Sequence, residues 1–270
     1  MRVAALQFDI VWEDKKANHR IIEDMLSAAD LAQGTYVLLP ELCDTGFSFD
    51  LDKIVDEQTL PWASDLAKHL KIWLQPGFAR IGSDGKGRNC TAIISPAGDV
   101  LGIYEKLHPF TYGREGQYYS GGSELLIASC KGVSICPTIC YDLRFPELWR
   151  VATLAGTELF TIGANWPAAR QTHWKSLIIA RAIENQAYVL SANRIGEDIS
   201  LQYQGGSILV SPKGEIIAEA QSEAVVLQAE LDLSALISWR KDFPALKDIK
   251  QSLLGSIKVN SIAAVDSKSD

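Results

Sequence analysis

Short apolar runs, too brief for helices, alternate along this chain with longer stretches whose apolar positions return every three or four residues. Val3 to Phe8 is a run of strand length. Residues 15–32 then place Ile21, Ile22, Met25, Leu26, Ala29 and Leu31 at helical spacings. Tyr36 to Leu39 is a second strand-length run, stopped by Pro40. The rhythm returns later: Val133 to Ile139 reads as a buried strand, 146–155 as a helix, Leu159 to Gly163 as a strand, 172–186 as a long helix and Ala187 to Ala192 as another strand. Strands alternating with helices predict an α/β fold with helices packed over sheet.

Two similar segments interrupt the alternation, Ile93-Ile94-Ser95-Pro96-Ala97-Gly98-Asp99-Val100-Leu101 and Leu209-Val210-Ser211-Pro212-Lys213-Gly214-Glu215-Ile216-Ile217. In each, proline presets a turn and the glycine two residues on can adopt a left-handed backbone, so both predict hairpins. They are compatible with two related halves, and equally with turn chemistry that recurs by chance. No proline-, glycine- or serine-rich linker divides the chain. The expectation is one domain over residues 1–258 and a tail over 259–270 that ends in the polar run Ser267-Lys268-Ser269-Asp270.

Composition narrows the function more than the fold. The net charge of −7, with no Lys/Arg cluster, argues against nucleic acid as a partner. No stretch of eighteen apolar residues predicts a membrane span, and the N-terminus lacks the pattern of an export signal. The five cysteines, at 43, 90, 130, 136 and 140, are therefore expected as reduced thiols in a cytoplasm. The four histidines are scattered, and Cys136 and Cys140 lack the spacing of a common zinc clip, so no metal is expected.

Three positions could carry chemistry. Cys140 lies where an apolar strand gives way to a helix beginning near Pro146, a bend that exposes a thiol beside backbone N–H groups. A lone cysteine there could equally be an inert buried thiol. Glu41, in Leu38-Leu39-Pro40-Glu41-Leu42, sits just past a strand, where a desolvated carboxylate makes a better base; a turn glutamate fits as well. Lys106, in Tyr104-Glu105-Lys106-Leu107-His108-Pro109, could stabilise a forming oxyanion or simply face solvent.

Together the three stretches resemble the signature blocks of the nitrilase superfamily of carbon–nitrogen hydrolases. The matching residues are Pro40-Glu41, Glu105-Lys106-Leu107-His108 and Cys140-Tyr141-Asp142-Leu143-Arg144-Phe145-Pro146-Glu147, in the family's order of Glu, Lys and Cys. Ala164-Asn165-Trp166-Pro167, Ala180–Gln186 and Asn193-Arg194 extend the likeness over residues 1–245. The resemblance implies a four-layer α-β-β-α sandwich of two mixed sheets, with Cys140 as nucleophile, Glu41 as general base and Lys106 as oxyanion partner. It implies a thioester intermediate, no metal or cofactor, and a homodimer or larger homo-oligomer.

A second family glutamate falls on Glu115, with Glu124 as the competitor, and the Tyr141 backbone N–H is the expected second oxyanion donor. Arg240–Ala245, Trp166-Pro167 and Arg170 look most like the omega-amidase branch, which acts on the terminal amide of small dicarboxylate monoamides such as 2-oxoglutaramate and succinamate. On that reading Trp166 and Arg170 meet the substrate, Arg170 at its carboxylate, and Arg144 pairs with Asp142 or Glu147. N-carbamoyl amide hydrolysis, acyl transfer to an amine, and a non-catalytic binding or scaffold role are the alternatives.

Overall fold

In the computed structural model, which describes residues 1–255 and 258–263, the strand-length runs become the centres of two seven-stranded sheets. Arg2–Gln7, Tyr36–Leu38 and Trp73–Gln75 run parallel in the first. Val225–Glu230 closes one side, and Gly87–Ile94 with Gly77–Ile81 and Val100–Glu105 forms the other. In the second sheet Val133–Ile139, Leu159–Ala164 and Tyr188–Asn193 are parallel. Ile208–Val210 and Ile216–Glu219 flank them on one side, Glu124–Cys130 and Lys258–Ala263 on the other.

Both sides of these strands are covered, which is why their sequences read as continuous apolar runs rather than alternating ones. Val3, Ala5, Tyr36 and Leu38 point toward the second sheet, while Ala4, Leu6, Val37 and Leu39 pack with Ile22, Leu26, Ala63 and Ala67 of the helices Lys15–Ala28 and Thr59–Leu70. On the far side, Trp149 of helix Pro146–Leu154 rests 4.7 Å from Phe160, and Trp174 and Ile178 of helix Gln171–Asn185 are fully buried. The layers are helix, sheet, sheet, helix. The first helix stops at Ala28, short of Leu31, because Asp30 turns left-handed at φ 48°. Ile183, at the other end of the stripe shared with Trp174 and Ile178, is half exposed.

The two hairpins are alike in detail, and each sheet holds one. Ser95 N–H donates to Asp99 O at 2.8 Å and Ser211 N–H to Glu215 O at 2.8 Å; Gly98 and Gly214 have φ of 90° and 85°. Both carry a register shift, at Ile93/Ile94 and at Leu209/Val210. The segment expected as a tail begins inside the second sheet, since 258–263 pairs in parallel with Glu124–Cys130. Ser267-Lys268-Ser269-Asp270 lies outside the described residues. No described helix is long and apolar enough to cross a membrane.

Candidate active site

The parallel strands of both sheets release their chains at one end of the sandwich, and the polar residues of interest sit just past those ends. Glu41 follows Tyr36–Leu38, Lys106 follows Val100–Glu105, Cys140 follows Val133–Ile139, and Asn165 follows Leu159–Ala164. Close backbone approach makes the meeting possible. A Cβ on Gly77 would lie 2.5 Å from Pro40 O and 2.9 Å from Glu41 Cα, and one on Gly163 would lie 2.7 Å from Leu39 O. The Glu41 peptide is thus pressed between a glycine of its own sheet and a glycine of the opposite one.

Lys106 Nζ is the centre of the cluster. It lies 2.7 Å from Glu41 Oε1 and 2.9 Å from Glu115 Oε2. Asn89, one strand over, donates through Nδ2 to Glu41 Oε1 at 2.8 Å and to Glu115 Oε1 at 2.9 Å, and its carbonyl accepts from the Lys106 N–H. The second Glu41 oxygen accepts from the Asn165 N–H at 2.9 Å. All these groups are sealed from solvent: Glu41, Lys106 and Asn89 are 2% exposed and Glu115 is 0%.

Burial and charge then set the protonation states. Burial pushes the Glu41 carboxyl up, but Lys106 and the donors from Asn165 and Asn89 outweigh it and hold Glu41 below its ordinary value. Burial pushes Glu115 up as well, Lys106 draws it down, and the neighbouring Glu41 charge leaves it above its ordinary value. Burial alone would lower Lys106; the charges of Glu115 and Glu41 raise it instead, so the ammonium stays charged. Burial and the Glu41 charge lift Cys140 well above a normal thiol, so the resting sulfur is protonated.

Cys140 opens a turn of 3₁₀ helix, Cys140–Arg144, between the strand and the helix Pro146–Leu154, with φ 42°. Such a left-handed residue costs of order 1–3 kcal/mol and persists where surrounding bonds over-determine it. Asp142 supplies those bonds. Its carboxylate accepts from Tyr104 Oη at 2.8 Å, from the His108 N–H at 3.0 Å and from the Ile139 N–H at 3.1 Å, and its carbonyl accepts from Trp149 Nε1. Tyr104 and His108 flank Lys106 in the chain, so Asp142 locks the cysteine turn to the lysine strand across the two sheets.

Arg144 therefore does not pair with Asp142, nor does it bridge to Glu147. Its guanidinium lies 4.7 Å from the Trp166 ring centre and 3.3 Å from His173 Nδ1. The cavity above Cys140 is walled by Phe47, Phe110, Tyr141, Arg144, Trp166, Arg170 and Tyr203. Trp166 is fixed by Nε1 donating to Arg170 O at 2.8 Å, and Arg170 lies 5.4 Å from the Phe110 ring centre. Neither arginine has a carboxylate partner among the described residues, and burial together with the nearby Arg170 charge draws Arg144 below its ordinary value.

The structure thus brings Glu41, Lys106, Cys140, Tyr141, Trp166 and Arg170 to one cavity, while Glu115 reaches it only through Lys106, which it holds from a fully buried position. Glu124 stays away on the second sheet, at the start of Glu124–Cys130. Cys43 is a core thiol, fully buried and donating to Gly77 O at 3.3 Å. Sequence reasoning missed Asn89, whose only signal was a polar residue at the mouth of an apolar strand, and missed Phe47, Phe110 and Tyr203, which carried none.

A fold of this shape, with a Glu-Lys-Glu cluster beside a cysteine turn, is that of a carbon–nitrogen hydrolase. The chain belongs to the carbon–nitrogen hydrolase family, whose model matches residues 2–241, and it is a hydrolase acting on amides. It is 36% identical to the omega-amidase YafV of Yersinia enterocolitica over 94% of this chain and 98% of that one. It is 34% identical to the 2-oxoglutaramate amidase of Bacillus subtilis over 93% and 98% of the two chains. Among solved structures, XC1258 from Xanthomonas campestris, a CN-hydrolase superfamily protein with an arsenic adduct in its active site, superposes with a TM-score of 0.87. It is 31% identical, with 93% of this chain and 97% of that one covered.

Proposed function

We propose that this protein hydrolyses the terminal amide of small dicarboxylate monoamides, of the 2-oxoglutaramate and succinamate kind, through a thioester on Cys140. The observation that carries the reading is the pair of guanidiniums, Arg144 and Arg170, set around the Cys140 cavity without carboxylate partners among the described residues of a chain with net charge −7. A substrate carboxylate is the natural counter-ion for them. The names of the omega-amidase and 2-oxoglutaramate amidase relatives point the same way.

Cys140 Sγ attacks the amide carbon while Glu41, ionised because Lys106 holds it so, takes the thiol proton. A thiol that is neutral at rest needs this base at the moment of attack. The oxyanion is held by the Lys106 ammonium and the Tyr141 backbone N–H, a donor set worth several kcal/mol in a dry site. Glu41 passes its proton to the nitrogen as the C–N bond breaks, ammonia leaves, and the acyl group remains on sulfur. Glu41 then takes a proton from water, whose oxygen attacks the thioester carbon; as the C–S bond breaks Glu41 returns that proton to the sulfur, and the product acid loses its own proton to solvent on departing. Glu115 keeps Lys106 in place and balances its charge.

Ammonia release from 2-oxoglutaramate, succinamate, butyramide and an N-carbamoyl amine tests the assignment. The dicarboxylate monoamides are expected to be the best substrates. Arg144→Ala and Arg170→Ala are each expected to lower their kcat/KM by roughly 10- to 100-fold, as for a lost charge-assisted bond, with less effect on butyramide. Preference for the carbamoyl compound would overturn the substrate class.

Asn89 gives a separate prediction. Asn89→Ala removes one donor from each carboxylate, so Glu41 becomes harder to ionise, and the acid limb of kcat/KM is expected to move to higher pH. A fall in activity with an unchanged pH profile would mean that Asn89 only supports the fold.

A further inference from the structure

We infer that a second hollow, adjoining the Cys140 cavity, is a subsite for a neutral apolar group carried at the acyl end of the substrate, and that the enzyme accepts ω-amides bearing such a group, as in an N-acylated glutamine. The inference rests on the monoamide reading above and extends it.

The hollow is walled by Phe47, Phe49, Phe110, Tyr112, Ile199 and Leu201. Phe47, Phe110, Leu201 and Arg170 wall the Cys140 cavity too, so the two spaces adjoin along these four residues, with a guanidinium at the seam. Tyr112 and Ile199 are 85% and 78% exposed, a large apolar surface left in water beside a catalytic cavity. The far rim carries Glu13, Asp50 and Asp198, and each is already engaged. Glu13 pairs with Lys53 at 2.6 Å, Asp50 caps a helix through the Lys53 N–H, and Asp198 accepts from Tyr203 Oη at 2.5 Å and from the Ser200 N–H at 2.8 Å. Among the described residues, the only basic one on the wall is Arg170. The hollow therefore favours a neutral apolar group whose carboxylate neighbour stays at the seam.

The wall is held in place. Ile199 and Leu201 sit in the loop of a two-stranded hairpin, Ile195–Glu197 with Gln202–Gln204, that belongs to neither main sheet. Arg194 anchors it: fully buried, it donates to Asp9 Oδ1 at 2.9 Å and to Ile10 O and Glu197 O at 3.0 Å, and lies 4.5 Å from the Tyr203 ring centre. The opposite end of the cavity is closed, since Glu41, Lys106, Glu115 and Asn89 are at most 2% exposed. The leaving nitrogen is directed at Glu41, which delivers its proton, so an extension of the substrate toward the shared wall lies on the acyl side.

The test compares ammonia release from glutaramate, N-acetylglutamine and N-benzoylglutamine by wild type, Ile199→Ser and Tyr112→Ser. In wild type the benzoyl compound is expected to exceed the acetyl compound in kcat/KM by about 10-fold or more, as for burying an aromatic ring. That ratio, read within each variant so that changes in folding cancel, is expected to fall toward one. Glutaramate turnover with no benzoyl preference in wild type, or a preference that survives both substitutions, overturns the subsite alone. Failure of wild type to hydrolyse glutaramate overturns the monoamide reading instead.

Discussion

Lys106→Met is expected to destabilise the folded protein by about 3–5 kcal/mol at neutral pH and to remove amide hydrolysis. The size follows from breaking a buried ion pair by deleting one partner, which leaves uncompensated charge in a dry site. Here two carboxylates, Glu41 and Glu115, would face each other with no cation between them. Without the ammonium, burial and mutual repulsion dominate, so the carboxyls titrate in the folded variant well above their unfolded value of about 4.3. A group raised in this way keeps its stability below the unfolded pKa and loses it as pH climbs through the folded one. The variant should therefore recover stability toward pH 4 and lose it toward pH 7. Lys106→Met combined with Glu115→Gln should restore much of the loss at pH 7 without restoring turnover. Thermal or urea unfolding across pH checks both statements, and a single variant as stable as wild type at pH 7 would contradict the charge balance drawn here.

Cys140→Ala is expected to lower amide turnover by roughly 10⁴-fold or more, the scale on which removing a nucleophile is felt, while leaving the fold intact. The contrast with Lys106 comes from protonation. The resting thiol is neutral, because burial and the Glu41 charge lift it, so its removal strands no charge. The same property predicts that wild type and variant absorb equally near 240 nm at pH 8, since there is no thiolate to lose. Ammonia release and a difference spectrum test the two halves separately. A resting thiolate would show instead that Lys106 dominates the sulfur, and Glu41 would then not be needed to take its proton.

Much of this protein was legible in one dimension. Strand-length apolar runs such as Val3 to Phe8 and Val133 to Ile139 reveal strands buried on both faces, because local burial periodicity survives in the chain. The two Ser-Pro-x-Gly turns predicted hairpins for the same reason: turn chemistry is local, and both proved to share even their register shifts. Glu41, Lys106 and Cys140 could be picked out as a set because their motifs and chain order resemble a known family's, although each residue taken singly also fitted an inert role.

Tertiary structure decided the rest, wherever a property depends on what a side chain meets from a distant segment. Asp142, two residues before Arg144, looks like half of an ion pair in sequence, yet its carboxylate is consumed by Tyr104, His108 and Ile139, which leaves Arg144 for the cavity. Asn89 is one polar residue in an apolar strand until the hairpin sets it beside Glu41 and Glu115, 48 and 26 positions away in the chain. The opposed shifts of the two glutamates arise from one ammonium, one amide and shared burial, and none of these exists before the sheets pack. Sequence by itself determined that Glu41, Lys106 and Cys140 could do chemistry and where several central strands run, but not the strand Lys258–Ala263, read as tail, nor Asn89. Packing alone determined their charges and the shape of the space above the sulfur, since electrostatic and steric terms act through distances that the chain order does not encode.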